Sequence, residues 1–335
     1  MNKSINHFII GIGRSGTTLL MNILNTHPAI LAFPEINFFN FFYWSWRTKT
    51  SFTQADLKAI RLFLNYFTKR AKNAPYKWDE EQFLKAINSL TTVNFASVYE
   101  AFYNSFIFNG QVKKTEIIFD KNPVNTLYIP EIIKTFPKAK FILMVRDPRA
   151  NYLSRKQKVL TSPEIYFNCY RWNLYNKTAL NFKQQYPDKI ILTRYENLVL
   201  NPEEEIKKIA SFFDFQYTSE MLEFYQTVKQ TRDIEAIVKS DEKGLLKDKF
   251  EKLSQPVNTS RLNSWKTELT EKEIEIISFI CNTAANQSGY SLSNDKQSGH
   301  KITGYIKSRI DLYRNKLIFY LPLWLKLKLI KDKSL

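Results

Sequence analysis

The 335-residue sequence predicts an α/β fold with a parallel central sheet flanked by helices. Several short runs are apolar throughout instead of alternating, as strands covered on both faces must be. Stretches long enough to form helices separate these runs, so each strand can cross over to a parallel neighbour. The first run ends in a glycine-containing loop that leads directly into a helical pattern, the arrangement that presents free backbone N–H groups to an anion.

The elements follow in order. Residues 7–12, HFIIGI, read as the first strand and residues 14–25 as the helix after it; AILAF, 29–33, is a short second strand ending at Pro34-Glu35. A mainly helical insertion runs from about 38 to 109, with Thr53 and Asp56 in capping-box-like spacing and no strand pattern. EIIFD (116–120), KFILMVR (140–146) and KIILTR (189–194) supply the remaining strands. Ligands of open parallel sheets bind beyond the carboxyl ends of the strands, where Gly13, Glu35, Lys121, Arg146 and Tyr195 all fall.

Composition narrows the function classes. Cys169 and Cys281 have no ligand-like spacing around them, and His7, His27 and His300 form no i, i+4 pair, so neither a disulfide framework nor a metal site is expected. The formal charge of +17 favours anionic partners. No nucleic-acid-binding motif accompanies that charge, so a basic nucleic-acid module is the weakest class. No run reaches the ~18 apolar residues of a spanning helix, and no basic leader with a long apolar core opens the chain, so a cytoplasmic protein is expected.

The loop itself admits two parses. Gly11, Gly13 and Gly16 fit the dinucleotide fingerprint GxGxxG, with Glu35 placed to reach a ribose, which would make the protein an NAD(P)-binding oxidoreductase. The span Gly11–Gly16 also fits GxxxxGK[ST], except that Thr17 stands where the lysine belongs. Without that lysine a nucleoside triphosphate loses its usual charge neutralisation. What remains suits a compact phosphate or phosphosulfate held without metal by a helix N-terminus, Arg14 and the hydroxyls of Thr17 and Thr18.

GRSGTTLL (13–20), DKNP (120–123), RDPRANYLS (146–154) and RYENLVLNPEEEIKKIASFF (194–213), in this order, resemble the sulfotransferases that use 3'-phosphoadenosine 5'-phosphosulfate (PAPS), nearest in pattern to the tyrosylprotein and bacterial branch. The resemblance covers roughly residues 5–290. It implies a P-loop NTPase-like fold and a sulfotransferase domain over 1–295; beyond it, charge and composition read as a basic amphipathic tail over 296–335. It also implies that Arg14, Ser15, Gly16, Thr17 and Thr18 hold the 5'-phosphosulfate, and that Arg146 and Ser154 bind the 3'-phosphate. Lys158, one turn past Ser154, could join that pocket, and Tyr195 with the stretch 255–265 resembles nucleotide-covering elements.

By the same resemblance Glu35 is the base for an acceptor hydroxyl, and Lys121 with Arg14 stabilises charge on the leaving phosphate. The tyrosylprotein branch carries an arginine two residues after the glutamate; here the residue is Asn37. The following run, 36–46, has seven aromatic residues in eleven and could line an apolar acceptor cleft or fill the core. The acceptor expected on these grounds is a lipid-like, sterol-like or glycan alcohol. In the tail, Phe319, Tyr320, Leu323 and Trp324 stand beside Lys326, Lys328, Lys331 and Lys333, a combination suited to lie on an anionic membrane or, alternatively, to pack on the enzyme body.

Overall fold

Seven strands form among the described residues: β1 (Ile5–Gly11), β2 (Ile30–Phe33), β3 (Tyr76–Trp78), β4 (Phe106–Phe108), β5 (Ile117–Lys121), β6 (Phe141–Val145) and β7 (Ile190–Arg194). The computed structural model describes residues 5–68, 76–108, 116–157, 164–231, 253–257, 259, 261–292 and 302–331. Five of the strands make one sheet in the order β2-β5-β1-β6-β7, and every pairing in it is parallel.

β2, β5 and β6 are buried at every position; β2 and β6 therefore read as unbroken apolar runs, while β5 is apolar up to Asp120 and Lys121 at its carboxyl end. Side chains alternate between two cores. Phe8, Ile10, Phe33 and Leu143 face one core with the aromatic insertion, whereas Ile9, Ala32, Phe119 and Met144 face another with helix α1 (Thr17–Thr26) and the helix Pro202–Phe213.

The insertion differs from its expected form in one respect: β3 and β4 pair as a small antiparallel ribbon. Strands of three residues are too short to leave a period in the sequence. The ribbon covers the sheet edge, since the Tyr76 hydroxyl donates to the Ala32 carbonyl of β2 at 2.6 Å. Helix α2 (Phe38–Trp46) is core: Phe38, Phe39, Phe42 and Trp46 are buried, and Phe38 stacks on Phe102 with ring centroids 4.1 Å apart. The aromatic run therefore fills the insertion, and an acceptor cleft lined by these buried rings is corrected. The Thr53–Asp56 box forms as read, with the Thr53 N–H on Asp56 Oδ2 at 2.8 Å, and opens α3 (Gln54–Thr68).

The tail forms two helices, Ile302–Tyr320 and Leu323–Lys331, interrupted before Pro322 as its missing N–H requires. Both pack on the body. Phe319 is fully buried between Tyr128, with centroids 4.0 Å apart, and Tyr43, at 5.7 Å. Lys326 is also buried, its ammonium donating at 2.8 Å to the carbonyls of Phe41 and Phe319. Burial lowers the Lys326 pKa to about 8. These two side chains face the protein, which corrects the expectation that they meet a membrane. No helix among the described residues is long and apolar enough to cross one.

Candidate active site

The turn after β1 is shaped by two glycines. Gly11, at φ 123°, lies so close to β6 that a Cβ there would stand 2.3 Å from the Met144 carbonyl oxygen. Gly16, at φ 89°, precedes α1, and a Cβ on it would stand 2.4 Å from Tyr195 Cδ2. Between them Arg14 takes φ 74°, a left-handed conformation that costs a non-glycine residue about 1–2 kcal/mol. The first turn of α1 carries no acidic residue and no side chain caps its N-terminus. Its leading N–H groups thus have no anionic neighbour in the turn and no intrahelical partner.

Helix α4 (Pro148–Lys156) holds this turn from behind. Asn151 donates from Nδ2 to the Gly13 carbonyl at 3.2 Å and to Ser15 Oγ at 3.1 Å. Arg155 donates from Nη2 to the same Gly13 carbonyl at 2.6 Å and from Nε to Asn151 Oδ1 at 3.1 Å. The Arg155 guanidinium is buried, and desolvation, with Arg171 and Arg14 nearby, lowers its pKa to about 9. Asn151 falls inside the RDPRANYLS stretch, whereas Arg155 lies one residue beyond it. Their spacing of four, which puts both on one helix face, was the available signal.

A second group forms where β6 and β7 end. Arg146 is 9% exposed, with its guanidinium carbon 4.4 Å from the centre of the Tyr195 ring. Its Nη1 makes a long 3.4 Å contact to the Arg14 carbonyl, and its Nε, though buried, has no hydrogen-bond partner among the described residues. Asp147 is engaged elsewhere, capping Arg149 N–H at 2.8 Å and pairing with the Arg149 guanidinium, so it does not neutralise Arg146. Arg149 in turn lies 3.8 Å over Trp265, which ties the end of the 255–265 stretch to this corner. Arg14 closes the group by donating from Nε to Ser154 Oγ at 3.1 Å. Lys158 and residues 258 and 260 lie outside the described residues.

The third group is at the far side of the sheet. Lys121, the last residue of β5, has a side chain only 4% exposed and pairs at 3.0 Å with Glu35, whose side chain is 54% exposed. Asp120 beside it is fully buried and accepts from the hydroxyls of Tyr99 at 2.9 Å and Tyr103 at 3.2 Å. Burial outweighs those bonds and raises the Asp120 pKa to about 7. Asn122 donates from Nδ2 to Asn37 Oδ1, next to the Glu35–Lys121 pair.

The strand order decides between the two loop parses. In a dinucleotide fold the second strand lies beside the first, which lets its terminal carboxylate reach the ribose. Here β5 separates β2 from β1, and Glu35 is held by Lys121 of the intervening strand. The oxidoreductase reading is corrected on that ground.

Comparison with known proteins agrees. Residues 7–219 match the sulfotransferase family. A putative protein-tyrosine sulfotransferase of Caenorhabditis briggsae is 27% identical over 268 residues, 77% of this chain and 79% of that protein. Protein-tyrosine sulfotransferase 1 of Danio rerio is 23% identical over 263 residues, covering 77% of this chain and 64% of that protein. Among solved structures, the sulfotransferase domain of the Synechococcus PCC 7002 olefin synthase superposes with a TM-score of 0.57 at 18% identity, covering 88% of this chain and 98% of that one. The sulfotransferase domain of the curacin biosynthetic pathway gives 0.55 at 20% identity, covering 87% and 99%. With the family's span covering the loop, the Glu35–Lys121 pair and the Arg146 corner, the chain belongs to the sulfotransferase family and is an enzyme of that class.

Proposed function

We propose that the enzyme moves the sulfuryl group of PAPS to a hydroxyl of its acceptor, with the Arg14–Thr18 turn on the 5'-phosphosulfate and Arg146 with Ser154 on the 3'-phosphate. The observation that carries this reading is the buried Nε of Arg146, which has no hydrogen-bond partner among the described residues while its ring neighbour Tyr195 and the Arg14 turn lie beside it. A phosphate oxygen satisfies such a donor with a charge-assisted bond. When bound, PAPS supplies the group to be transferred and leaves as the 3',5'-bisphosphate. Lys158 is proposed as an addition to the same pocket.

Glu35 is the proposed base. Its carboxylate is accessible to an acceptor and is oriented by Lys121 at 3.0 Å, so it can take the hydroxyl proton on Oε. Lys121, buried and fixed by its short reach from β5, offsets negative charge growing on the leaving phosphate, as does Arg14. No step in this account calls for a metal.

For the acceptor, the names of the relatives support a tyrosyl hydroxyl presented by a protein. A second reading, an uncharged lipid-like, sterol-like or glycan alcohol, is favoured by Asn37: beside the base stands a neutral amide engaged by Asn122, where the resemblance leads one to expect an arginine. Radiolabelled sulfate transfer from PAPS to a tyrosine-containing acidic peptide, a sterol and an oligosaccharide separates the readings. Glu35→Gln should reduce turnover on the order of a hundredfold or more while adenosine 3',5'-bisphosphate still binds. Turnover at the wild-type level would place the base elsewhere.

A further inference from the structure

The inward side of the tail helix Ile302–Tyr320 is fixed to the body. Gly304 lies against Tyr166 so closely that a Cβ would stand 2.2 Å from the Tyr166 Cβ, and Ser308 and Phe319 are buried. Asp311 pairs with Arg171 at 3.4 Å. With these anchors the helix cannot roll, so the opposite face is committed to the exterior.

That exterior face is apolar. Ile306 is 48% exposed, Ile310 60%, Tyr313 65% and Leu317 64%, and Trp324, 67% exposed, follows after the break at Pro322. Spacings of four, three and four put the first four on a single stripe. Basic residues flank it on both sides, with Lys307 and Arg314 along one border and Arg309 and Lys316 along the other. The side chains of Lys307 and Arg314 are 64% and 67% exposed even though Glu164 and Asp311 lie within ion-pair reach of them. Asp311, the one acidic residue of this helix, has a side chain only 14% exposed.

We infer that this stripe docks the enzyme on an anionic lipid bilayer, with Ile306, Ile310, Tyr313, Leu317 and Trp324 entering the headgroup region and the flanking cations meeting lipid phosphates and carboxylates. A helix with an apolar stripe between two basic borders lies in the plane of an interface, where both contributions act together. A second copy of the chain fits less well: a two-fold contact across the stripe would bring each basic border against a basic border. A polyanion such as nucleic acid would meet the cations and leave the apolar stripe uncovered. The inference does not depend on which acceptor the active site uses.

Cosedimentation of the full chain with phosphatidylserine–phosphatidylcholine vesicles and with phosphatidylcholine vesicles, across a salt series, tests the proposal. Binding should be strong on the anionic vesicles at low salt, weaken as the Debye length contracts, and be weak on the neutral ones. Ile310→Glu with Leu317→Glu should reduce anionic-vesicle binding at least about tenfold, since each charge must leave water to enter the interface, with the melting curve and nucleotide binding unchanged. Arg314→Glu with Lys316→Glu should weaken it and flatten its salt dependence. The proposal is overturned if the intact protein fails to sediment with anionic vesicles at low salt, or if Ile310→Glu with Leu317→Glu binds like wild type. It is equally overturned if light scattering finds a dimer that these substitutions dissolve, because a second copy then covers the stripe.

Discussion

Arg146→Met separates an arginine kept for a ligand from one kept for the fold. In the protein alone the substitution removes a cation–π contact with Tyr195, worth about 0.5–2 kcal/mol, and a long 3.4 Å hydrogen bond to the Arg14 carbonyl. It also removes a buried Nε with no partner among the described residues, an arrangement that costs about 1–3 kcal/mol. The two sides nearly cancel, so the melting temperature of the free enzyme should move by no more than a few degrees in either direction. Binding of adenosine 3',5'-bisphosphate is affected differently. Losing two hydrogen bonds from a charged donor, at about 1.5–3 kcal/mol each, should weaken it on the order of a hundred- to ten-thousandfold. Arg146→Lys keeps the charge without the planar fork and should fall between. Differential scanning fluorimetry with and without the bisphosphate, beside calorimetric titration, reads both quantities. A large drop in the melting temperature with undiminished nucleotide affinity would refute the reasoning and make Arg146 a structural clamp.

Gly16→Ala should lower stability by about 1–2 kcal/mol from its φ of 89° alone, and more from the 2.4 Å approach to Tyr195; in a Tyr195→Ala background only the backbone part should remain in urea titrations. Phe319→Ala should cost about 3–5 kcal/mol in the same assay, because a fully buried ring stacked 4.0 Å from Tyr128 is lost; an unchanged midpoint would mean that the tail does not dock. Asp120, with a folded pKa of about 7 against 3.8 unfolded, contributes stability that is complete below pH 3.8 and is lost as pH rises through 7. Urea midpoints measured from pH 4 to 8 should therefore slope more steeply downward in wild type than in Asp120→Asn, and parallel profiles would mean that this carboxyl does not titrate as described.

Features with local causes were legible in the chain. Strands packed in a covered parallel sheet are largely apolar, so five runs read off the sequence match the five strands of that sheet to within two residues at either end. A turn of unusual backbone conformation required Gly11 and Gly16, and the carboxyl ends of the strands were thereby marked as the place for Arg14, Glu35, Lys121, Arg146 and Tyr195. The tertiary structure decided what depends on pairing between distant segments. Inserting β5 between β1 and β2 made Glu35 the partner of Lys121, 86 residues away, instead of a ribose ligand of the loop. Arg155 reaches Gly13 across 142 residues, and Lys326 reaches the Phe41 carbonyl across 285. The partner of such a contact is not written at either end, because each side chain is compatible with many partners in its own neighbourhood. Its role depends on which backbone groups the folded sheet and helices bring within about 3 Å of it.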